Sequence, residues 1–261
     1  MKNPKIIVSM TSFPAAITFA AKAVESVLRS SIRPDKIVLY LADPQFPGRE
    51  IPSVLAALRC DTFEIRFCKE DIRSYKKLIP ALEDFPDDII ITVDDDVDYN
   101  KNMIKKLLWT HKKYPDAIVS HRVRRIQLGK PYIKWKVCRG LKHLFRASRP
   151  SFSNLQIGNG GVLYPPRSLK PEMLDSKLFM KIAPTVDDIW FWAAAAAQGT
   201  KVAPVLSGYT RPRDLGKPKE IRLQSTNWAK KSGRDVNREV LEEILEKYPD
   251  VKKRLHEGKD T

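Results

Sequence analysis

The sequence is poor in the residues that build metal clusters, disulfide frameworks and membrane spans. Its 261 residues include four histidines and only three cysteines, Cys60, Cys68 and Cys138, none of them in a CxxC pair. A structural zinc site and a disulfide scaffold are therefore not expected. No segment approaches the ~20 apolar residues that cross a bilayer, and the N-terminus lacks the apolar core of a signal peptide. These absences predict a cytoplasmic protein, with peripheral contact at the inner face of the cytoplasmic membrane left open.

Acidic residues are missing from one long stretch. Between Asp116 and Glu172 there is no aspartate or glutamate, whereas residues 117–171 contain twelve lysines and arginines. The whole chain carries 47 basic and 31 acidic residues, a net charge of +16, and without this stretch the balance is 35 against 31, or +4. The charge is therefore concentrated in about a fifth of the chain, which argues against a uniformly basic protein. The pattern predicts a near-neutral domain with a basic insert.

Apolar runs and helical stripes alternate along the first 120 residues, which predicts an α/β fold with a doubly wound, mostly parallel sheet. Strands are predicted at Lys5–Met10, Lys36–Leu41, Phe63–Phe67, Asp88–Val93 and Ala117–Ser120, with a late strand at Lys201–Leu206. Helices are predicted at Ala15–Arg29, Ser53–Arg59, Tyr75–Leu82, Asn102–Lys113, Asp187–Gln198 and Val236–Leu255. Ligands bind such sheets at the carboxyl ends of the strands, so the loops after Met10, Val93 and Ser120 are expected to share one cleft.

An acidic triplet follows the most apolar of these strands. Asp94, Asp95 and Asp96 come directly after the sequence IIITV. Three carboxylates in a dry cleft repel one another, and a bound divalent cation removes that penalty. In an extended chain alternate residues face the same side, so Asp94 and Asp96 can converge while Asp95 points elsewhere. A polar turn that caps the strand is the simpler alternative, but the position after a buried central strand favours a metal site.

Four motifs together resemble bacterial glycosyltransferases of the GT-A fold. The resemblance covers roughly residues 5–206 and is greatest to family-2-like enzymes that build capsule or lipopolysaccharide sugars. It is carried by TSFP after the first strand, SYKKLIPAL, ITVDDDVDY and TVDDIWFW, in that order along the chain.

The resemblance implies a Rossmann-like GT-A catalytic domain over residues 1–206. In this interpretation residues 1–120 form the nucleotide-binding half, 121–157 the basic insert and 158–206 the acceptor half, while the helical tail 207–261 packs on the cleft or closes over it. It also implies Mn²⁺ or Mg²⁺ as cofactor and a nucleoside diphosphate sugar, such as a UDP-sugar, as donor. The residues matched to the donor are Thr11, Ser12, Phe13, Lys77, Asp94 and Asp95, and those matched to the metal are Asp94 and Asp96.

A second acidic pair opens the helix predicted at Asp187–Gln198. Acids at a helix N-terminus favour the helix dipole and cap free amides, which explains one of the two without any catalytic role. The other matches the position of the catalytic base in inverting members of the family, and Asp188 is preferred over Asp187. Because the dipole lowers the pKa of a carboxyl, the base requires a desolvated site. Lys77 has the same ambiguity, since it either meets a phosphate or lies on a solvated helix face.

The basic insert at 121–157 has interleaved aromatic residues and fits several partners. Such a surface suits single-stranded nucleic acid, an anionic membrane, or an anionic acceptor held at the cleft, and a solvated loop without a ligand is the simplest alternative. Given the resemblance, a glycan or lipid-linked glycan acceptor or a peripheral membrane contact is favoured over nucleic acid. The functional hypothesis is a metal-dependent, inverting glycosyltransferase that acts on a surface glycan or lipid-linked acceptor. A metal-dependent nucleotidyltransferase and a non-enzymatic nucleic-acid-binding protein are the alternatives.

Overall fold

The computed structural model describes residues 4–138, 149–205, 212–218, 220 and 233–257. Its strands are β1 Ile6–Thr11, β2 Lys36–Ala42, β3 Phe63–Cys68, β4 Ile89–Thr92, β5 Val97–Asp98, β6 Ile118–Ser120, β7 Val123–Arg125, β8 Lys136–Val137, β9 Asn154–Gln156, β10 Val162–Tyr164, β11 Val202–Pro204 and β12 Arg213–Asp214. Its α-helices are α1 Ile17–Leu28, α2 Ser53–Ala56, α3 Ile79–Asp84, α4 Met103–Lys113, α5 Ser176–Ile182, α6 Asp187–Gln198, α7 Val236–Lys247 and α8 Pro249–Glu257. Short 3-10 turns at Arg73–Lys77 and Gly158–Gly160 adjoin the site described below.

The described residues form a central seven-stranded sheet in the order β11-β6-β10-β4-β1-β2-β3. All neighbours are parallel except β10, which lies antiparallel between β4 and β6. The predicted α/β class with a mostly parallel sheet is therefore confirmed. The sequence did not predict β10, because a three-residue strand between glycines and prolines is too short to show a period.

Successive side chains of the strands alternate between two apolar layers, as the strand period of two requires. On β1, Val8 packs in the layer of α1, α2 and α4, whereas Ile7 packs in the layer of α3, α5, α6, α7 and α8. Both faces of the sheet are thus covered. This explains why its strands are continuously apolar rather than alternating with polar residues.

Two predicted helices are each interrupted at a proline. The segment predicted as Tyr75–Leu82 is a 3-10 turn followed by α3, with Pro80 in the first turn of that helix. The segment predicted as Val236–Leu255 divides into α7 and α8 at Tyr248, directly before Pro249. Proline restricts the residue before it and donates no amide hydrogen, so a helix ends there and a new one begins.

The described part of the basic insert, 121–138 and 149–157, contains a small antiparallel sheet in the order β8-β7-β9. Two arginines of this sheet donate hydrogen bonds to other residues of the protein. Arg124 is buried and donates to the carbonyls of Tyr132 and Trp135, and Arg125 donates to Ser151 Oγ at 3.3 Å. Residues 139–148 of the insert, and residues 207–211, 219, 221–232 and 258–261 of the predicted tail, lie outside the described residues.

Helix α6 is enclosed by the protein around its whole circumference. Trp190, Phe191 and Trp192 are each at most 1% exposed, and both indole N–H groups donate to backbone carbonyls, of Met173 and Phe152. Helices α7 and α8 cover the side of α6 that faces away from the sheet. None of the helices in the described ranges is long and apolar enough to cross a membrane.

Candidate active site

Loops from four strands meet at one edge of the sheet. Strands β1, β4 and β6 end there in the sequences that begin at Ser12, Val93 and His121. Because β10 runs in the opposite direction, its amino end meets their carboxyl ends, and Val162 pairs with both Thr92 and Ser120. The turn Gly158–Gly160 before β10 is thereby brought beside the acidic triplet. The expected common cleft thus also receives a glycine-rich turn.

The three carboxyl groups of the triplet differ in exposure, and Asp95 and Asp96 lie in a turn rather than in an extended strand. Asp95 is buried, at 6% exposure, whereas the side chains of Asp94 and Asp96 are 28% and 21% exposed. Asp95 accepts a hydrogen bond from Ser12 Oγ at 2.6 Å and pairs with Lys217 Nζ at 2.9 Å. The middle carboxylate therefore ties the triplet to the β1 loop and to the C-terminal segment, while its two neighbours face the cleft.

Lys217 binds the triplet from the C-terminal segment. Its ammonium group also lies 3.7 Å from Asp96 Oδ2 and 5.2 Å from the centre of the Phe13 ring. Strand β12 pairs with β5 and the amide of Leu215 donates to the Asp96 carbonyl, so backbone bonds hold this segment in place. The triplet is thus fixed both by side-chain and by backbone contacts.

A buried lysine connects the triplet to α6. Lys77 Nζ lies 3.0 Å from Asp94 Oδ1 and 3.0 Å from Asp187 Oδ2, and its side chain is 8% exposed. Burial by itself lowers the pKa of an ammonium group, but the charges of Asp187, Asp94 and Asp188 outweigh it and hold the pKa of Lys77 well above its ordinary value. Lys77 is therefore a permanent cation between two carboxylates rather than a lysine on a solvated helix face.

Asp188 is the second carboxyl at the start of α6, next to the Asp187 that pairs with Lys77. Desolvation by the surrounding protein, followed by repulsion from Asp187, raises the pKa of Asp188 to about 7. These effects outweigh the charge of Lys77 and the hydrogen bond from Gly158, both of which lower the pKa of Asp188. Asp188 Oδ1 accepts the amide hydrogen of Gly158 at 3.0 Å, and Gln156 donates to the Asp188 carbonyl. A carboxyl with such a pKa can accept and release a proton near neutral pH.

Gly158 is the point at which these groups converge. A Cβ built on this glycine would lie 2.8 Å from Lys77 Nζ, 3.2 Å from Asp188 Oδ1 and 3.5 Å from Asp94 Oδ1. No larger residue fits without displacing one of the three groups. The acidic triplet and the opening of α6, which are far apart in the sequence, therefore adjoin one another across a single residue.

Tyr99 holds the loop of the triplet to the glycine-rich turn. Its hydroxyl accepts the amide hydrogen of Asp94 at 2.8 Å and lies 3.5 Å from the Asn159 carbonyl, to which it donates. The Asn159 side chain in turn accepts a hydrogen bond from Arg122 at 3.0 Å. Arg122, from the basic insert, thus lies at the rim of the same site.

A divalent cation fits the donor set at Asp94 and Asp96. Within the described residues no group of three or more histidine, cysteine, aspartate or glutamate side chains could enclose a metal ion alone. Two carboxylates at a cleft are nevertheless a typical protein contribution to a Mg²⁺ or Mn²⁺ site, because water and substrate phosphates supply the other ligands. The oxygen donors also match the preference of these cations.

The site predicted from the sequence is assembled in part. The structure brings Ser12, Phe13, Lys77, the triplet, Asp187 and Asp188 to one edge of the sheet. Thr11 is engaged elsewhere, because its hydroxyl donates to the Tyr40 carbonyl at 2.8 Å. Sequence reasoning missed Lys217, Tyr99 and the contact role of Gly158. Lys217 lies in a charged segment without periodicity, so no local signal marked it.

Comparison with known proteins identifies the fold. A scan against protein-family models and a search of curated proteins gave no match. Among solved structures, S. aureus TarS 1–349 matches with a TM-score of 0.51 and 12% identity over 78% of this chain and 59% of that one. The same fragment in complex with UDP gives 0.50 and 12%, with the same coverage of both chains. The mannosyltransferase PcManGT from Pyrobaculum calidifontis, in complex with GDP-Man and Mn²⁺, gives 0.49 and 13% over 78% and 55%.

The chain thus spans less than two thirds of the length of these proteins. At this level of identity the likeness concerns the three-dimensional arrangement. The α/β fold of this chain is the GT-A fold of glycosyltransferases.

Proposed function

We propose that this protein is a metal-dependent glycosyltransferase that moves a sugar from a nucleoside diphosphate donor to a glycan or lipid-linked glycan with inversion. The observation that supports the proposal best is the convergence at Gly158. There the triplet, which suits a metal and diphosphate, lies beside a carboxyl whose pKa suits a general base. A surface glycan of the capsule or lipopolysaccharide type fits the resemblance noted in the sequence.

Each group has a distinct role in this proposal. Asp94 and Asp96 would hold the cation, which when bound offsets the negative charge of the departing diphosphate. The acceptor hydroxyl gives its proton to Asp188 as its oxygen bonds to the anomeric carbon, and the bond from that carbon to the diphosphate oxygen breaks. The proton is expected at Asp188 Oδ2, because Oδ1 accepts the Gly158 amide hydrogen. Asp187 is held by Lys77 and orients the start of α6.

Contacts at the β1 loop support a donor site in the same cleft. Ser12 and Asp95 position the triplet, and Phe13 offers its ring beside Lys217. We assign the tail residues 212–217 to closing this side of the cleft, which the pairing of β12 with β5 and the ion pair of Lys217 with Asp95 support. The fold-related TarS fragment was solved with UDP, which makes UDP the first nucleotide to test.

A nucleotide titration tests the donor and metal parts of the proposal. We expect one of UDP, GDP, dTDP and CMP to raise the melting temperature, and to do so only with Mn²⁺ or Mg²⁺, because the cation joins the diphosphate to Asp94 and Asp96. Asp96→Ala should remove this stabilisation. The measurement is a thermal melt at nucleotide concentrations well above the dissociation constant.

The matched control is Asp98→Ala. It also removes an acid, two residues after Asp96, but Asp98 pairs with the exposed Arg29. This variant should keep the metal-dependent shift. Absence of any nucleotide response in the unmodified protein, together with salt-sensitive binding of an oligonucleotide, would overturn the proposal in favour of nucleic-acid binding. Transfer of a nucleotidyl group instead of a sugar would favour a nucleotidyltransferase.

The pH dependence of turnover tests the base. Because the pKa of Asp188 is raised to about 7, the carboxyl is mostly protonated below that pH and cannot accept a proton. We expect kcat to fall about tenfold per pH unit below pH ~7 and to reach a plateau above it. Donor binding measured over the same range separates this effect from metal loss. A flat profile between about pH 5.5 and pH 8, with chemistry rate-limiting, contradicts Asp188 as the base.

A further inference from the structure

Helix α4 carries a second basic stretch, which the proposed reaction does not use. From Tyr99 to Pro115 the sequence has no acidic residue and contains five lysines. Within α4, the exposed lysines lie on the helix face opposite to the buried residues Met103, Ile104, Leu107 and Thr110. The stretch is separate from the basic insert at 121–157.

The exposed face of α4 combines lysines with a tryptophan. Lys105, Trp109, Lys112 and Lys113 are all exposed and follow the i, i+4, i+7, i+8 spacing of one helix face. Trp109 is 55% exposed, one of three large apolar side chains in the described residues with about half of their surface in water. Lys101, exposed in the turn before the helix, extends the same row. We call these five residues the α4 stripe.

The lysines of the α4 stripe are not neutralised by the protein. In the portion of the chain described by the structure, neither Lys101, Lys105, Lys112 nor Lys113 forms an ion pair, although Lys113 lies over the Tyr114 ring at 5.5 Å. The neighbouring acid Asp98 is paired with Arg29. By contrast, Arg122, Arg124 and Arg125 of the basic insert donate hydrogen bonds to protein acceptors. The α4 stripe therefore combines uncompensated lysines with an exposed indole on one helix face, whereas the exposed Lys130, Lys134 and Lys136 of the insert lie in a loop and a two-residue strand.

We infer that the α4 stripe docks on the surface of an anionic lipid bilayer. The lysines favour an anionic partner by charge complementarity. The exposed indole favours a partner with an apolar layer directly beneath its charged surface, because tryptophan is enriched at membrane–water interfaces. Residues in one row along a helix project from its outer surface in the same direction, so the side chains of the α4 stripe can contact a flat bilayer surface at the same time. Single-stranded nucleic acid is instead bound in a groove whose aromatics stack on successive bases, and the stripe has one aromatic residue and no groove.

Co-sedimentation of the full chain with vesicles tests this inference. We expect binding to phosphatidylcholine vesicles that contain about 30% phosphatidylglycerol and little binding to phosphatidylcholine alone. Each lysine near an anionic surface accounts for about a fivefold change in affinity. The double variant Lys105→Glu/Lys112→Glu should therefore weaken binding at least 25-fold. Trp109→Ala, which leaves the charge unchanged, should weaken it several-fold.

Three comparisons decide the outcome. Lys252→Glu/Lys253→Glu on α8 makes the same charge change on another exposed helix and should retain most of the binding. Equal losses in both double variants, or an unchanged affinity in Trp109→Ala, would overturn the inference. So would binding that is lost instead in Lys134→Glu/Lys136→Glu of the basic insert, or an oligonucleotide whose binding depends on the α4 stripe when vesicle binding does not.

Discussion

Replacing Asp188 with asparagine is expected to lower kcat by about 10²–10⁴-fold while leaving the affinity for the nucleotide–metal pair within a few-fold of the original. The size follows from the loss of a general base in the transition state. Asparagine keeps the shape of the side chain, and its Oδ1 can still accept the Gly158 amide hydrogen. The measurement is single-turnover transfer from the donor that stabilises the protein, together with nucleotide titration of the same variant.

The fold should survive this change. The pKa of Asp188 is raised from 3.8 to about 7 by folding, so its contribution to stability is lost as pH rises between those values. At pH ~8 the folded protein must hold Asp188 in its ionised form in a desolvated site. Asparagine removes this penalty, so the melting temperature at pH ~8 should be unchanged or higher. Asp250→Asn, at the exposed start of α8, is the matched control and should transfer at the original rate. Retained turnover in Asp188→Asn would assign the base to another residue.

Replacing Lys77 with methionine is expected to destabilise the protein by about 3–5 kcal/mol, because the change leaves buried carboxylate charge without its cation. For a chain of this size the melting temperature should fall on the order of 10 °C. Transfer should also be lost, since Lys77 joins Asp94 to Asp187. The control is Lys36→Met, whose partner Glu64 is 30% exposed, and which should cost at most about 1 kcal/mol.

A second substitution distinguishes charge from packing in this variant. In Lys77→Met/Asp187→Asn the unpaired buried carboxylate at Asp187 is gone, so the double variant should be more stable than Lys77→Met alone. If the two substitutions acted independently, their losses of unfolding free energy would add, and the double variant would be less stable than Lys77→Met. If instead the two effects add, Lys77 acts mainly by filling space, and its role as a bridge between the triplet and α6 is refuted.

The sequence predicted the helices and strands with a clear hydrophobic pattern, and the polar residues that directly follow or begin such an element. The continuous apolar run at β4 predicted a buried strand directly before the triplet. Burial of Asp95 between two more exposed neighbours agrees with the expected pattern, although Asp95 and Asp96 lie in a turn. The helix that begins at Asp187 was marked by its own acids and by the apolar residues after them. Such signals are local, because they depend on residues a few positions apart.

Features that depend on distant parts of the chain were not predictable. Consecutive residues of a helix point in different directions, yet Trp190, Phe191 and Trp192 are all buried, because α7 and α8 cover the side of α6 that faces away from the sheet. Lys77 resembled a surface lysine until Asp187 was placed beside it. Desolvation of Asp188, too, depends on elements that converge only in the folded protein.

The reversed strand β10 also sets the order in which the molecule can be completed. Strands β4 and β6 are successive strands of the central sheet along the chain, yet neither hydrogen-bonds to the other, since β10 lies between them. The edge that each of them presents to β10 therefore has no partner strand before residues 162–164 have been synthesised. The amide of Gly158 directly precedes that strand, whereas Asp187, Asp188 and Lys217 come later in the chain. Residues 1–120 alone therefore contain the triplet but not the groups that surround it.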